Sequence, residues 1–157
     1  MVAHLLKYRG VIQEIGPTVS QFLQFLPYDM LIFFGETAPA ELRALSLIHN
    51  GTQLASDLAA GDYLKFSPPS GIEKTHQHRL TKMGETRMVD TDTEQPQWYR
   101  LTAVGESVNG NLAELGHVVV HFDGATMANV KGAVSVEPAL EALPTVGTTF
   151  EFFGLKE

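Results

Sequence analysis

At 157 residues, with 44% hydrophobic and 18% charged residues and a mean hydropathy near zero, the chain has the composition of one soluble globular domain, which excludes disorder, collagen and coiled coil. Its 18 acids against 11 bases leave a formal net charge of −7, so a nucleic acid or an anionic membrane would be approached against net repulsion; a basic or neutral protein partner suits it better. The absence of cysteine removes disulfides, Cys-ligated zinc, iron–sulfur clusters and thiol catalysis, leaving nitrogen and oxygen chemistry. The N-terminus lacks the long apolar run and small-residue cleavage site of a secretory signal, and no stretch approaches 18 uninterrupted apolar residues, so a cytoplasmic protein without membrane insertion is expected.

Short runs of β-forming residues, punctuated by Gly, Pro, Asn and Asp, predict an all-β fold, a small closed barrel. In chain order the strands are expected at 5–15 with an interruption at Gly10, then at 30–34, 44–49, 62–66, 98–104, 117–122, 132–137 and 148–153. Two short helices are expected, one opened by Pro39 with Thr37 as N-cap, the other near 111–115 and stopped by Gly116.

These elements suggest two duplicated, interlocked halves. Gly35-Glu36, a helix containing Leu42, the strand ending at His49 and the turn Asn50-Gly51 parallel Gly105-Glu106, Leu112, the strand ending at Phe122 and the turn Asp123-Gly124. Each half closes on a similar strand, Gly61 to Phe66 in the first and Gly147 to Phe152 in the second. On this comparison the counterpart of His49 is Phe122.

Residues 67–97 break the symmetry, with almost no large apolar side chains and 5 acids against 4 bases. They read as an insertion or long loop within a single 1–157 domain, and the acidity belongs to the barrel.

No phosphate-binding glycine loop, zincin motif or nucleophile elbow appears, so the chemistry is sought among six histidines. His49 ends an apolar strand and shares a face with Leu45 and Leu47. At the mouth of a barrel it would be partly desolvated and biased to the neutral, nucleophilic imidazole; the alternative is a core histidine satisfied by a backbone hydrogen bond. His117 opens a strand just after Gly116, where it could reach a pocket. His121 falls on the face opposite Val118, Val120 and Phe122 and is expected in solvent. His76 and His78 have chelating spacing but no third ligand nearby, so no metal is expected, and His4 reads as a bland terminal residue.

Together, Pro39-Ala-Glu-Leu42, Leu47-Ile-His49, Leu101-Thr-Ala-Val-Gly105, Asn111-Leu-Ala-Glu-Leu-Gly-His117 and Val120-His-Phe-Asp-Gly124 resemble the enzyme IIA component of the glucitol/sorbitol phosphotransferase system. The resemblance runs over about 11–66 and 98–153, with 67–97 outside it. It implies a small cytoplasmic β-barrel whose histidine, falling on His49, takes a phosphoryl group from phospho-HPr through its distal nitrogen and passes it to a cysteine of enzyme IIB. The enzyme IIB/IIC permease handles the sugar, so direct sugar binding is not expected here. Such a relay needs positioning and electrostatic support, and neither a metal nor a cofactor. Asn50, Gly51, Thr52 and His117 are the nearest candidate hydrogen-bonding groups. Leu47, Ile48, Phe33 and Phe34 could form a docking patch, but read better as core. The competing reading is a regulatory or small-ligand-binding barrel that has lost phosphotransfer, favoured if His49 is inaccessible to a protein donor.

Overall fold

The computed structural model describes residues 3–19, 30–69, 95–128 and 130–156. Within them lie strands β1 (Ala3–Ile15), β2 (Met30–Gly35), β3 (Leu47–His49), β4 (Tyr63–Ser67), β5 (Gln97–Val104), β6 (Val118–His121), β7 (Ala133–Glu137) and β8 (Thr149–Lys156). Helix α1 (Ala40–Arg43) joins β2 to β3, and α2 (Val108–Leu115) joins β5 to β6. The strands close a barrel in the order β1, β3, β2, β6, β7, β5, β4, β8, so the all-β expectation holds. Eight strands leave an interior just wide enough for side chains to fill, and here Tyr8, Phe33, Tyr99, Phe150 and Phe152 fill it, each less than 2% exposed. Burying each phenylalanine contributes about 1.5–3 kcal/mol by transfer from water.

Two of the differences from the sequence reading have local reasons. β1 runs unbroken through Gly10, because a glycine in a strand marks a close approach as readily as a break. A Cβ there would come within 2.8 Å of both His49 Nδ1 and Phe150 Cε1. β3 begins only at Leu47 because α1 carries the preceding residues, with Ala44 as C-cap; its N-cap is Pro39, with no side-chain cap bond from Thr37. β3 is buried on both faces: Leu47 packs in the barrel core, while Ile48 joins Phe34 and Ala38 in a separate cluster. Phe33, Phe34, Leu47 and Ile48 are all buried, as core and not as a docking patch.

The strand graph maps onto itself when β1–β4 are exchanged with β5–β8. The antiparallel β1·β3 pair corresponds to β5·β7, the parallel β2·β3 pair to β6·β7, and β1·β8 to β4·β5. The halves interlock, since β4 lies between β5 and β8. Both β1 and β5 carry an irregularity against their partner, opposite the His49/Ile48 step in one and the Val136/Ser135 step in the other. Gly61 and Gly147 precede the closing strands with φ of +97° and +96°. This correspondence sets Val136, and not Phe122, opposite His49. The sequence comparison had matched β3 with β6 because both follow a helix, whereas strand pairing matches β3 with β7.

Candidate functional site

His49 ends β3, paired with Ile12 of β1 on one side and Gly35 of β2 on the other. It is 0% exposed, which corrects the expectation of a histidine at the barrel mouth. Phe150 stands edge-on to the imidazole at 4.8 Å between centroids and Tyr8 at 5.9 Å, with Phe33 at 6.4 Å. Both ring nitrogens are engaged by backbone. Nε2 lies 2.7 Å from the carbonyl oxygen of Gly116, and the Gly51 amide donates to Nδ1 at 2.9 Å.

These partners decide the tautomer. A carbonyl only accepts and an amide N–H only donates, so Nε2 carries the proton and the unprotonated Nδ1 accepts the Gly51 N–H with its lone pair. The distal nitrogen that the resemblance implied as nucleophile is therefore a donor to Gly116 in this arrangement. Gly116 can come so close because it is the α2 C-cap, with φ +66°, and because it lacks a side chain: a Cβ would lie 3.0 Å from His49 Cε1 and 3.0 Å from the Gly35 nitrogen.

Burial pulls the His49 pKa below its ordinary value of 6.5, opposed by the Gly116 hydrogen bond and the charge of Glu36. His121, 8% exposed, is also pulled down by burial, with Asp123 opposing. Both bind protons more readily once unfolded, so their contribution to stability is complete above the unfolded pKa near 6.5 and is lost as pH falls below it. The melting temperature should decline between about pH 7.5 and about pH 5.5, with each histidine adding a slope of at most about 1.4 kcal/mol per pH unit. His49→Gln should flatten part of that decline, and an unchanged slope would refute the assignment.

The site comes together at the join of two segments far apart in sequence, the β3 end with its following turn and the α2 C-cap. A family model described as "PTS system glucitol/sorbitol-specific IIA component" matches residues 7–70 and 72–151. The chain belongs to this family. It is 32% identical, over 96% of its own length and 97% of theirs, to the PTS system glucitol/sorbitol-specific EIIA components of Escherichia coli strain K12 and Shigella flexneri. The crystal structure of a PTS system IIA component from Enterococcus faecalis V583 has the same fold, with a TM-score of 0.62 at 22% identity over 92% of this chain and 98% of that one. The family match extends through most of residues 67–97, which the sequence reading had left outside the resemblance. No described helix is long and apolar enough to cross a membrane.

Within this IIA barrel the other histidines take different places. The His117 Nδ1 donates to the Phe33 carbonyl at 3.1 Å, and its ring packs on Phe34 at 4.7 Å. What reaches His49 from this segment is the carbonyl of the preceding residue, Gly116. His121 is buried and not in solvent, because alternation along β6 tells the sheet face but not what covers it. His4 contacts Trp98 and Phe153 on the barrel surface. His76 and His78 lie outside the described residues. Of the groups expected beside His49, Gly51 supplies its amide, while the Asn50 side chain accepts from the Val11 amide at 2.9 Å. The sequence reading missed Tyr8, Gly10 and the Gly116 carbonyl; the glycine inside the first strand was the signal for close approach.

Proposed function

We propose that the chain is a cytoplasmic phosphocarrier of the glucitol/sorbitol phosphotransferase system, accepting a phosphoryl group from phospho-HPr on His49 and passing it to the cysteine of enzyme IIB, which serves the IIC membrane component. The observation that carries this reading is a neutral imidazole with one unprotonated nitrogen at the position where the resemblance puts the family's histidine. The His49 lone pair forms the new N–P bond as the donor's N–P bond breaks, and the departing electron pair returns to the donor nitrogen. No proton needs to move. The ring becomes cationic, and an N–H held by the Gly116 carbonyl stabilises that cation. No metal or cofactor enters the reaction.

Because His49 is fully buried, transfer includes an opening step. The half-exposed Gly51 and the exposed residues beside it are the cover that must move. Phosphate found on Nδ1 would mean that the Gly51 amide first releases this nitrogen; phosphate on Nε2 would mean that the ring first leaves Gly116 and its proton passes to Nδ1. The same proposal treats 1–157 as one IIA unit, with about 67–97 inserted between the paired strands β4 and β5.

His117 serves in this proposal as a positioning residue, holding the Gly116 peptide through its bond to Phe33. His117→Ala should slow transfer about 10–100-fold while the phosphate still maps to His49, and His117→Asn, which keeps a donor, should recover part of the rate. A parental rate in His117→Ala would make it a strand-start residue only.

The burial of His49 favours a second reading, a regulatory or small-ligand-binding barrel that has lost phosphotransfer. Incubation with HPr and the first enzyme of the system separates the two: the carrier takes up acid-labile phosphate, one group per chain, and the binding barrel takes up none.

A further inference from the structure

A groove of about 280 Å³ is lined by residues including Lys7, Tyr8, Arg9, Thr52, Gln53 and Gly51, the partner of His49. It lies where residues 50–55 continue along β1 after β3 ends, with the Ala55 amide bonded to the Lys7 carbonyl at 2.8 Å. Tyr8 is 1% exposed, and its hydroxyl is the one buried side-chain polar atom without a hydrogen-bond partner among the described residues. Phenylalanine would pack as well without that unmet demand, so the hydroxyl calls for an acceptor that the described residues do not supply.

Gly51 shows where this hydroxyl lies. A Cβ built on Gly51 would stand 2.7 Å from Tyr8 Cε2 and 2.9 Å from Cζ, the carbon that bears the hydroxyl. The amide of the same Gly51 donates to His49 Nδ1. An unused donor on Tyr8 and the Gly51 amide that holds the buried imidazole thus lie together in the wall of one groove. Two cations line the groove. Lys7 is held by Asp62 at 2.8 Å, whereas the Arg9 side chain is 61% exposed in a long ion pair with Glu151 at 3.8 Å, which an anion in the groove would compete for.

We propose that this groove binds a phosphoryl group, with the Tyr8 hydroxyl, uncovered as Gly51 moves, as its inner hydrogen-bond donor and Arg9 as its outer cation. The ligand class is a phosphate with at least two anionic oxygens, carried on a donor's histidine or free as orthophosphate. Tyr8 loses no proton, since burial pushes its pKa up to about 12 and the hydroxyl stays a donor. In transfer it holds a phosphoryl oxygen while the N–P bond passes from donor nitrogen to His49. That part rests on His49 being the acceptor; the binding of phosphate does not.

Tyr8→Phe keeps the ring and removes the donor. Its melting temperature should match or exceed that of the parent, whereas phosphoryl uptake from phospho-HPr, measured by rapid quench, should slow about 10²–10³-fold with the phosphate still on His49. Orthophosphate titrated into the parent protein should shift the Gly51 amide resonance saturably, and Tyr8→Phe or Arg9→Gln should weaken that binding about tenfold or more. Uptake by Tyr8→Phe at the parental rate, or a Gly51 resonance indifferent to phosphate, would overturn the proposal. A parent protein that accepts no phosphoryl group yet shows the saturable Gly51 shift would sink the carrier reading and leave the groove assignment standing.

Discussion

His49→Gln should reduce acid-labile phosphate uptake from phospho-HPr to background while the protein still folds. Glutamine has similar reach and retains an N–H that can meet the Gly116 carbonyl, so the bond on the Nε2 side survives in kind. The nucleophilic nitrogen disappears, and no other group replaces it, since the strand equivalent of His49 in the second half of the barrel is Val136. The substitution removes the acceptor of the Gly51 amide, a loss of about 1–3 kcal/mol, held toward the low end by the partial exposure of Gly51. Phosphate mapping together with a denaturant melt checks both halves of the expectation. Parental phosphorylation of this variant, located on His117 or His121, would overturn the residue assignment.

Phe150→Ala should be the most destabilising single change around the site, at about 3–5 kcal/mol. Phe150 is 0% exposed and packs against Phe33 at 4.7 Å, His49 at 4.8 Å, Tyr8 at 6.0 Å and Phe152 at 6.3 Å between ring centroids. The cavity left by its ring cannot close easily, because Phe150 sits on β8 between β1 and β4, hydrogen-bonded on both sides. Removing the ring also lets water reach the imidazole, so the His49 pKa should rise back toward its ordinary value and the loss of stability below neutral pH should become shallower. Urea melts of the variant near pH 7.5 and near pH 5.5 test both effects. A loss below about 1 kcal/mol would mean that the barrel repacks around the gap, contrary to the rigid aromatic cluster described here.

The amino-acid sequence by itself determined the elements and their class. Alternation with period two and the Gly, Pro and Asn/Asp breaks place every strand, because these are local properties of a half-buried pleated chain. Gly116 marks the end of α2 for an equally local reason, the left-handed φ of its C-cap. His49 was also legible as the residue to watch, from its apolar strand and from the family blocks around it.

Its surroundings were not legible, because they are made by contacts distant in sequence. The Gly116 carbonyl reaches Nε2 across 67 residues, and barrel closure brings β8 onto β1 so that Phe150 covers the ring. Strand alternation says which way a side chain points but not what lies beyond it, and for that reason His121 was misplaced and Tyr8 passed unnoticed. The pairing of β3 with β7 in the internal symmetry was hidden for the same reason, since a parallel pair joined by a crossover leaves no local mark in the chain. Only the closed barrel decided that the histidine would be neutral, with one nitrogen donating to a carbonyl and the other accepting from an amide, because a backbone carbonyl and a backbone amide, fixed by separate elements, meet it from opposite sides.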